Sequence, residues 1–73
     1  MRLLTMQMQP VKSRSVSAVG HDGTALAITF KGGGTYHYDG CPKTVFDSLL
    51  TAQSIGKFVG ENVIGKYRHR IVK

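Results

Sequence analysis

Reactive side chains are few in this chain, and their spacing suggests no catalytic centre. Cys41 has His37 four residues upstream, a separation that could bring a thiol and a base together. A thiolate nucleophile also needs a third group that orients the histidine, and the sequence places none there. A cysteine directly before the proline of a helix start is more typical of a small buried residue. The pair therefore gives no reason to expect catalysis.

The other titratable residues form no pattern for a metal or for acid–base chemistry. His21, His37 and His69 lack the spacing of metal ligands. The four acidic residues are scattered along the chain, so no pair of carboxylates suggests a general acid and base. We expect a binding protein that has no catalytic activity, no metal and no cofactor.

The run Tyr36-His37-Tyr38 is the strongest candidate for a binding function. Side chains alternate between the two faces of a strand, so both tyrosines share one face and His37 lies on the other. Exposed tyrosine rings would stack on the bases of single-stranded nucleic acid, each contributing about 1–3 kcal/mol. Basic side chains would then contact the phosphates. The cations that we assign to this site are Lys31, Lys66, Arg68 and Arg70.

The same tyrosines could instead belong to the hydrophobic core, and we favour this interpretation. Leu26, Ile28 and Phe30 fall on one face of the preceding strand, and a helix must cover that face. A neighbouring strand would offer its rings to the same core. Tyr36→Ala would then unfold the protein, since large-to-small core changes cost about 3–5 kcal/mol.

Three strands are predicted to position the tyrosines. Ser13–Val19 alternates small polar and apolar residues, Ala25–Lys31 is the clearest strand, and Thr35–Asp39 carries the tyrosine pair. An Asp-Gly pair at 22–23 predicts a hairpin between the first two strands, and three glycines at 32–34 predict a second one. The strands should therefore form an antiparallel meander.

Helices are predicted after the third strand. Pro42 suits the first turn of a helix, and an apolar stripe at helical spacing continues to about Gln53. Ser54 is placed to cap a second helix, which the glycines at 56, 60 and 65 weaken by roughly 1 kcal/mol each relative to alanine. The predicted fold is of the α+β class, a three-stranded antiparallel meander followed by one or two helices packed on one face.

Composition and charge favour a small intracellular binding module. Ten Lys and Arg against four Asp and Glu give a net charge of +6 over 73 residues, with the excess near both ends. Such a charge attracts nucleic acid or acidic protein surfaces. The single cysteine and the lack of an apolar run of about 18 residues or of a secretory signal lead us to expect one domain in the reducing cytoplasm.

The two ends of the chain are predicted to lie outside the domain, which spans residues 13–67. Residues 1–12 are interpreted as an arm because Pro10 interrupts strand pairing, and residues 68–73 as a basic tail. An unpaired sheet edge beside the arm would accept a strand of a partner protein, and methionines would provide an adaptable surface. The residues predicted to bind that partner are Met6, Met8, Pro10, Val11, Lys12, Ser13, Arg14 and Ser15.

The order of these landmarks resembles the KTSC domain, a module named from the C-terminus of some lysyl-tRNA synthetases. The similarity covers about Ser13–Tyr67, and its landmarks are Val19-Gly20-His21-Asp22, Phe30, Gly34-Thr35-Tyr36-His37-Tyr38, Pro42, Val45-Phe46, Leu49, Ala52, Ser54, Gly56, Lys57-Phe58 and Gly65-Lys66-Tyr67. The chain departs from the family pattern at His21, where tyrosine is common, at Cys41, where an aliphatic residue is usual, and at Val59-Gly60.

The resemblance implies binding rather than catalysis. The family is proposed to bind RNA, and the short single-domain layout is also similar to small phage proteins that regulate transcription. That similarity implies a non-catalytic regulator that binds host bacterial RNA polymerase near the N-terminal region of its largest subunit, β′. It would inhibit σ-dependent initiation and favour antitermination. A monomer is the simplest expectation at a net charge of +6. A small RNA-binding or other nucleic-acid-binding module is the alternative, and a passive structural or assembly protein is a third interpretation.

Overall fold

The computed structural model describes residues 8–72, which form an antiparallel sheet and two helices. The strands lie side by side in chain order: β1 (Met8–Pro10), β2 (Val16–His21), β3 (Ala25–Phe30), β4 (Gly34–Asp39) and β5 (Arg68–Val72). Between β4 and β5 the chain forms α1 (Lys43–Leu50) and α2 (Ile55–Asn62).

The α+β class, the antiparallel meander and the helices after it are as predicted, but the prediction of three strands was wrong. The sheet has five strands, because β1 pairs with β2 and β5 pairs with β4. β1 comes from the segment interpreted as an arm, and β5 from the segment interpreted as a tail. Four of the five residues of β5 are exposed, and three of them are Arg or His. An edge strand needs little apolar patterning, so its sequence resembles a solvated tail.

The hairpin between β2 and β3 forms at the predicted Asp-Gly pair. The Oδ1 atom of Asp22 accepts hydrogen bonds from the backbone N–H groups of Thr24 at 2.9 Å and Ala25 at 2.8 Å. Gly23 adopts a φ of +104°, which favours glycine. The backbone donors hold the pKa of the Asp22 carboxyl below its usual value.

The core lies between the helices and one face of the sheet. Leu26 and Ile28 of β3 are fully buried, as is Leu49 of α1, and α1 packs on β2 and β3. This matches the expectation that the first helix covers the apolar face of the central strand. Burying side chains of this size contributes about 1.5–3 kcal/mol each. The other fully buried apolar residues are Val16, Val19, Ala27, Val59, Val63 and Cys41.

Helix α2 begins at the predicted cap and approaches the chain before β2 closely. The Oγ of Ser54 accepts a hydrogen bond from the backbone N–H of Lys57 at 3.3 Å. A Cβ atom at Gly56 would lie 2.5 Å from the Oγ of Ser15. The glycine at position 56 therefore allows close packing against Ser15. From the sequence alone, this glycine was expected only to lower the stability of the helix.

Candidate binding surface

The two tyrosines of β4 occupy different environments. Tyr38 is 3% exposed and belongs to the core, whereas Tyr36 is half-buried and packs against the edge of that core. Their rings are stacked with centroids 6.4 Å apart. Burial, and secondarily the neighbouring Tyr36, raises the pKa of the Tyr38 phenol. Tyr36 is thus the tyrosine of the pair that remains accessible to a ligand.

An open cleft with a volume of about 810 Å³ lies beside Tyr36, between the β4–β5 end of the sheet and the chain that follows α2. We call it the aromatic cleft, because five of its lining residues carry aromatic rings. The side chains that line it come from Phe30, Tyr36, Tyr38, Ile64, Lys66, Tyr67, Arg68 and His69, with Gly33 and Gly65 completing the wall.

The rings of the cleft are held in place by one another. Phe30 meets Tyr36 edge-on, with centroids 5.5 Å apart and an interplanar angle of 83°. The ring of His69 lies 5.7 Å from that of Tyr36 and 5.9 Å from that of Tyr38. Edge-to-face and tilted contacts of this kind stabilise aromatic clusters. The floor of the cleft is therefore preformed, and its apolar character does not depend on a bound partner.

Two exposed isoleucines extend this apolar surface. Ile64 is 52% exposed and borders the cleft. Ile71 is 65% exposed and lies directly opposite Tyr36 in the β4–β5 register, so both side chains point to the face that carries the cleft. A contiguous exposed apolar surface on a small protein is typical of an interaction site.

The structure does not bring the predicted nucleic-acid-binding residues onto one surface. By the β4–β5 register, the side chain of Arg68 belongs to the face of the sheet opposite the cleft, although Arg68 begins β5 at the rim of the cleft. Lys66 borders the cleft together with Tyr36. Arg70 lies on the opposite face, where its Nε and Nη2 atoms donate to the carboxylate of Asp39 at 3.2 and 3.0 Å. This bidentate pair lowers the pKa of Asp39.

Lys31 lies apart from the cleft, whereas Tyr38 lines it but is almost fully buried. Lys31 is exposed in the turn after β3, where its backbone N–H donates to the carbonyl of Ser15 at 2.8 Å. Tyr38 is buried and offers no free ring face to a base. Of the predicted set, Tyr36, Tyr38 and Lys66 line the cleft together, and Arg68 lies at its rim.

The predicted protein-binding residues are divided among several environments. Met8 and Pro10 are exposed on β1, and Val11 packs against the core. Met6 lies outside the described residues. The remaining predicted residues line a smaller cleft of about 270 Å³ opposite the start of α2: Lys12, Ser13, Arg14 and Ser15.

Ser13 has a local structural role in this smaller cleft. Its Oγ accepts hydrogen bonds from the backbone N–H groups of Ser15 and Val16, each at 3.3 Å. A serine that satisfies neighbouring backbone donors fixes a turn. The bond therefore shapes the entry into β2.

Cys41 and His37 lie in different environments, the thiol in the core and the imidazole on the face of the sheet that points away from it. His37 lies on the face opposite the tyrosines, as predicted, and pairs with Arg70 in the β4–β5 register. The Cys41 thiol is fully buried, and burial raises its pKa. A buried thiol with a raised pKa is a poor nucleophile.

Two of the departures from the family pattern are joined by a hydrogen bond. The Nε2 of His21 lies 2.6 Å from the carbonyl oxygen of Cys41, and its Nδ1 lies 3.0 Å from the backbone nitrogen of Gly23. Both bonds are satisfied when Nε2 carries the proton and Nδ1 accepts. His21 thus connects the β2–β3 hairpin to the start of α1.

Residues 8–72 hold neither a cluster of metal-ligating side chains nor a membrane-spanning helix. No three side chains of His, Cys, Asp or Glu converge there. Neither α1 nor α2 has the length and apolar character needed to cross a bilayer.

Strand β5 and the isoleucines are the features of this surface that sequence reasoning missed. The pair Ile71-Val72 was the available signal, since β-branched residues favour strands. The preceding Arg68-His69-Arg70 run concealed it, because charges suggest a solvated tail.

Comparison with known proteins agrees with the architecture. The model of the KTSC domain matches residues 12–67. A protein of Tsukamurella paurometabola is 49% identical over 67 residues, which cover 89% of this chain and 97% of that protein. The crystal structure of a KTSC domain protein from Yersinia pestis superposes with a TM-score of 0.90 at 34% identity, covering 94% of this chain and 100% of the other. The chain belongs to the KTSC domain family.

Proposed function

We propose that this protein is a non-catalytic protein-binding module that binds bacterial RNA polymerase and regulates transcription. The observation that carries the proposal is the exposed apolar surface formed by the aromatic cleft with Ile64 and Ile71. A small domain gains nothing for its own stability from isoleucines left exposed beside a preformed cleft. Covering them with a partner removes apolar surface from water and favours association.

The charge of the protein indicates the character of the partner. Lys66 and Arg68 border the apolar surface, and the net charge of the chain is +6. Apolar side chains on the partner would fill the cleft, while acidic side chains would face the basic border. Complementary charge speeds the encounter and fixes the orientation of the complex more than it adds affinity.

RNA polymerase is proposed as the partner on the basis of resemblance. The length and the single-domain layout are similar to the small transcription regulator of a lytic Xanthomonas phage, which binds its host's polymerase. By that similarity, the contact would lie near the N-terminal region of the β′ subunit. Binding there would inhibit σ-dependent initiation and favour read-through of terminators.

Transcription in vitro tests this function. The template carries a σ-dependent promoter followed by an intrinsic terminator, and the purified protein is added before or after the polymerase leaves the promoter. We expect less promoter-initiated RNA in the first case and more read-through RNA in the second. Unchanged amounts of both products at saturating protein would refute the proposed regulation.

Single-strand nucleic-acid binding is retained as a second candidate because Tyr36 and Lys66 line the cleft together, with Arg68 at its rim. A partly exposed ring beside two cations could stack on one base and contact its phosphates. This mode predicts affinity for single-stranded RNA that falls steeply with salt. Strong RNA binding without polymerase binding would favour this candidate over the first.

A further inference from the structure

The two edges of the sheet differ in the backbone groups that they leave unpaired. Between β3 and β4, the N–H of Gly40 donates to the carbonyl of Thr24 at 3.0 Å. Hydrogen-bonded pairs alternate along an antiparallel ladder, so Leu26–Tyr38 and Ile28–Tyr36 also exchange backbone bonds. The remaining residues of β4, including His37 and Asp39, therefore bond to β5.

This alternation identifies the free groups of β5. Arg68, Arg70 and Val72 lie opposite the β4 residues that face β5, so their N–H and C=O groups point inward. The N–H and C=O groups of His69 and Ile71 point outward, to the open edge of the sheet. β5 is thus an edge on which a further strand can form regular hydrogen bonds.

The β1 edge is less suitable for strand addition. The N–H of Val11 donates to the carbonyl of Ser17 at 3.1 Å, so Gln9 also bonds inward, and Met8 and Pro10 point outward. Pro10 has no N–H to offer, and three residues of β1 lie within the described part of the chain. Proline on an edge strand blocks pairing with another chain.

We propose that the β5 edge, together with the aromatic cleft, binds an extended segment of the partner protein as a sixth strand. The inference rests on the proposed function, since it specifies how a protein partner is bound. The segment alternates apolar and acidic residues. Its apolar side chains lie beside His69 and Ile71 and reach the cleft, and its acidic side chains lie on the other face beside Arg68 and Arg70.

The alternation of the segment follows from the faces of β5. His69 and Ile71 share the face of Tyr36 and Tyr38, whereas Arg68 and Arg70 share the face of Asp39 and His37. Residues of an added strand that lie opposite these positions point to the same faces. The apolar face of β5 continues into the cleft, and the arginine face attracts carboxylates. An alternating segment complements both faces, while a uniformly apolar or basic segment complements one at most.

Charge complementarity favours an acidic protein segment over a second copy of this chain. A second copy carries a net charge of +6 and would place like charges beside Arg68 and Arg70. Opposed like charges across neighbouring strands are destabilising. A segment with carboxylates at alternate positions removes that repulsion.

Amide hydrogen exchange tests the edge residue by residue. One probe is purified bacterial core RNA polymerase, and the other is a synthetic peptide of about ten residues, a typical strand length, in which valine alternates with glutamate. In the free protein, the amides of His69 and Ile71 should exchange faster than those of Arg70 and Val72. Either probe should slow exchange at His69 and Ile71 by about tenfold or more. Unchanged exchange at both amides with saturating probe would overturn the proposal.

Variants at position 71 provide the matched control. Ile71→Pro removes an outward N–H without removing a bond to β4. Ile71→Thr retains the N–H at position 71 and separates the loss of the donor from the loss of the isoleucine. Loss of one backbone hydrogen bond should weaken binding about fivefold, which corresponds to roughly 1 kcal/mol. We expect weaker binding for Ile71→Pro than for Ile71→Thr. Equal affinities for the two position-71 variants would contradict strand addition.

Failure of this inference can be distinguished from failure of the proposed function. Polymerase binding without protection of His69 and Ile71 would overturn the edge mode and leave the regulator function standing. If polymerase does not bind, the peptide decides the edge proposal alone: protection supports it, and no protection overturns it. A peptide with lysine in place of glutamate should bind far more weakly, and equal binding would refute the role of charge.

Discussion

Replacing Tyr38 and Tyr36 one at a time tests which of the two tyrosines stabilises the core. Tyr38 is 3% exposed and packs with the core cluster, whereas Tyr36 is half-buried. The sequence pattern predicts that Tyr36→Ala unfolds the protein if the tyrosines belong to the core. In the structure Tyr38 is the buried ring of the pair. The larger loss of stability is therefore expected for Tyr38→Ala, because truncating a buried aromatic residue also leaves a cavity.

The magnitude is large relative to the stability of the domain. Truncation of a buried aromatic side chain costs about 3–5 kcal/mol. A globular domain of 73 residues has a free energy of unfolding of about 4–11 kcal/mol. Tyr38→Ala therefore removes a large part of the total. For the half-buried Tyr36, the cost should be about half as large, so Tyr36→Ala should remain folded.

Urea denaturation followed by circular dichroism measures both free energies. With a slope near 1 kcal/mol per M, typical of small proteins, Tyr38→Ala should lower the midpoint by about 3–5 M or prevent folding. Tyr38→Phe is the matched control, because it retains the ring and removes only the hydroxyl, and it should change stability by less than about 1 kcal/mol. Equal losses for Tyr36→Ala and Tyr38→Ala would refute the distinction between core and surface tyrosine.

Other parts of the fold give further predictions. Gly60→Ala should stabilise α2 by up to about 1 kcal/mol, since its Cβ meets open space, whereas Gly56→Ala should give less or none because its Cβ would lie 2.5 Å from the Ser15 Oγ; urea midpoints of both variants test this. The folded-state pKa of Asp22 is lowered, so the ionised carboxylate stabilises the folded state fully above about pH 4. This stabilisation disappears as the pH falls through the folded-state pKa, and the difference in free energy of unfolding between wild type and Asp22→Ala should therefore shrink in acid. Tyr38 has a raised pKa, so the pH dependence runs in the opposite direction. Its contribution to the free energy of unfolding is complete below about pH 10 and is lost as the pH rises through the folded-state pKa, and Tyr38→Phe should reduce this alkaline destabilisation. Iodoacetamide should alkylate Cys41 slowly in the native protein and rapidly in urea, and fast native labelling would contradict the buried thiol.

The central part of the fold could be predicted because its patterns are local. Asp-Gly at 22–23 specifies a tight turn, the alternation in β3 specifies a buried face, and Ser54 specifies a helix start. Each of these signals depends on a few neighbouring residues. The strands and the second helix that they predict are present in the structure.

The ends of the sheet could not be predicted because their pairing is not encoded locally. β5 pairs with β4 although two helices separate the strands in sequence. Its charged residues are held by neighbours distant in sequence, as in the hydrogen bond from Arg70 to Asp39. The exposed Ile71 gives no helical or alternating pattern by itself. The cleft depends on Tyr36, Ile64 and His69 meeting from separate elements, which a linear pattern does not show.

The most direct test of the account is equilibrium binding of the purified protein to bacterial core RNA polymerase at about 0.15 M salt, with single-stranded RNA measured in parallel. The proposed function and the proposed strand addition predict saturable polymerase binding that Ile71→Pro weakens more than Ile71→Thr does, together with weak and salt-sensitive RNA binding. Absence of polymerase binding, with tight binding to RNA instead, would contradict the account.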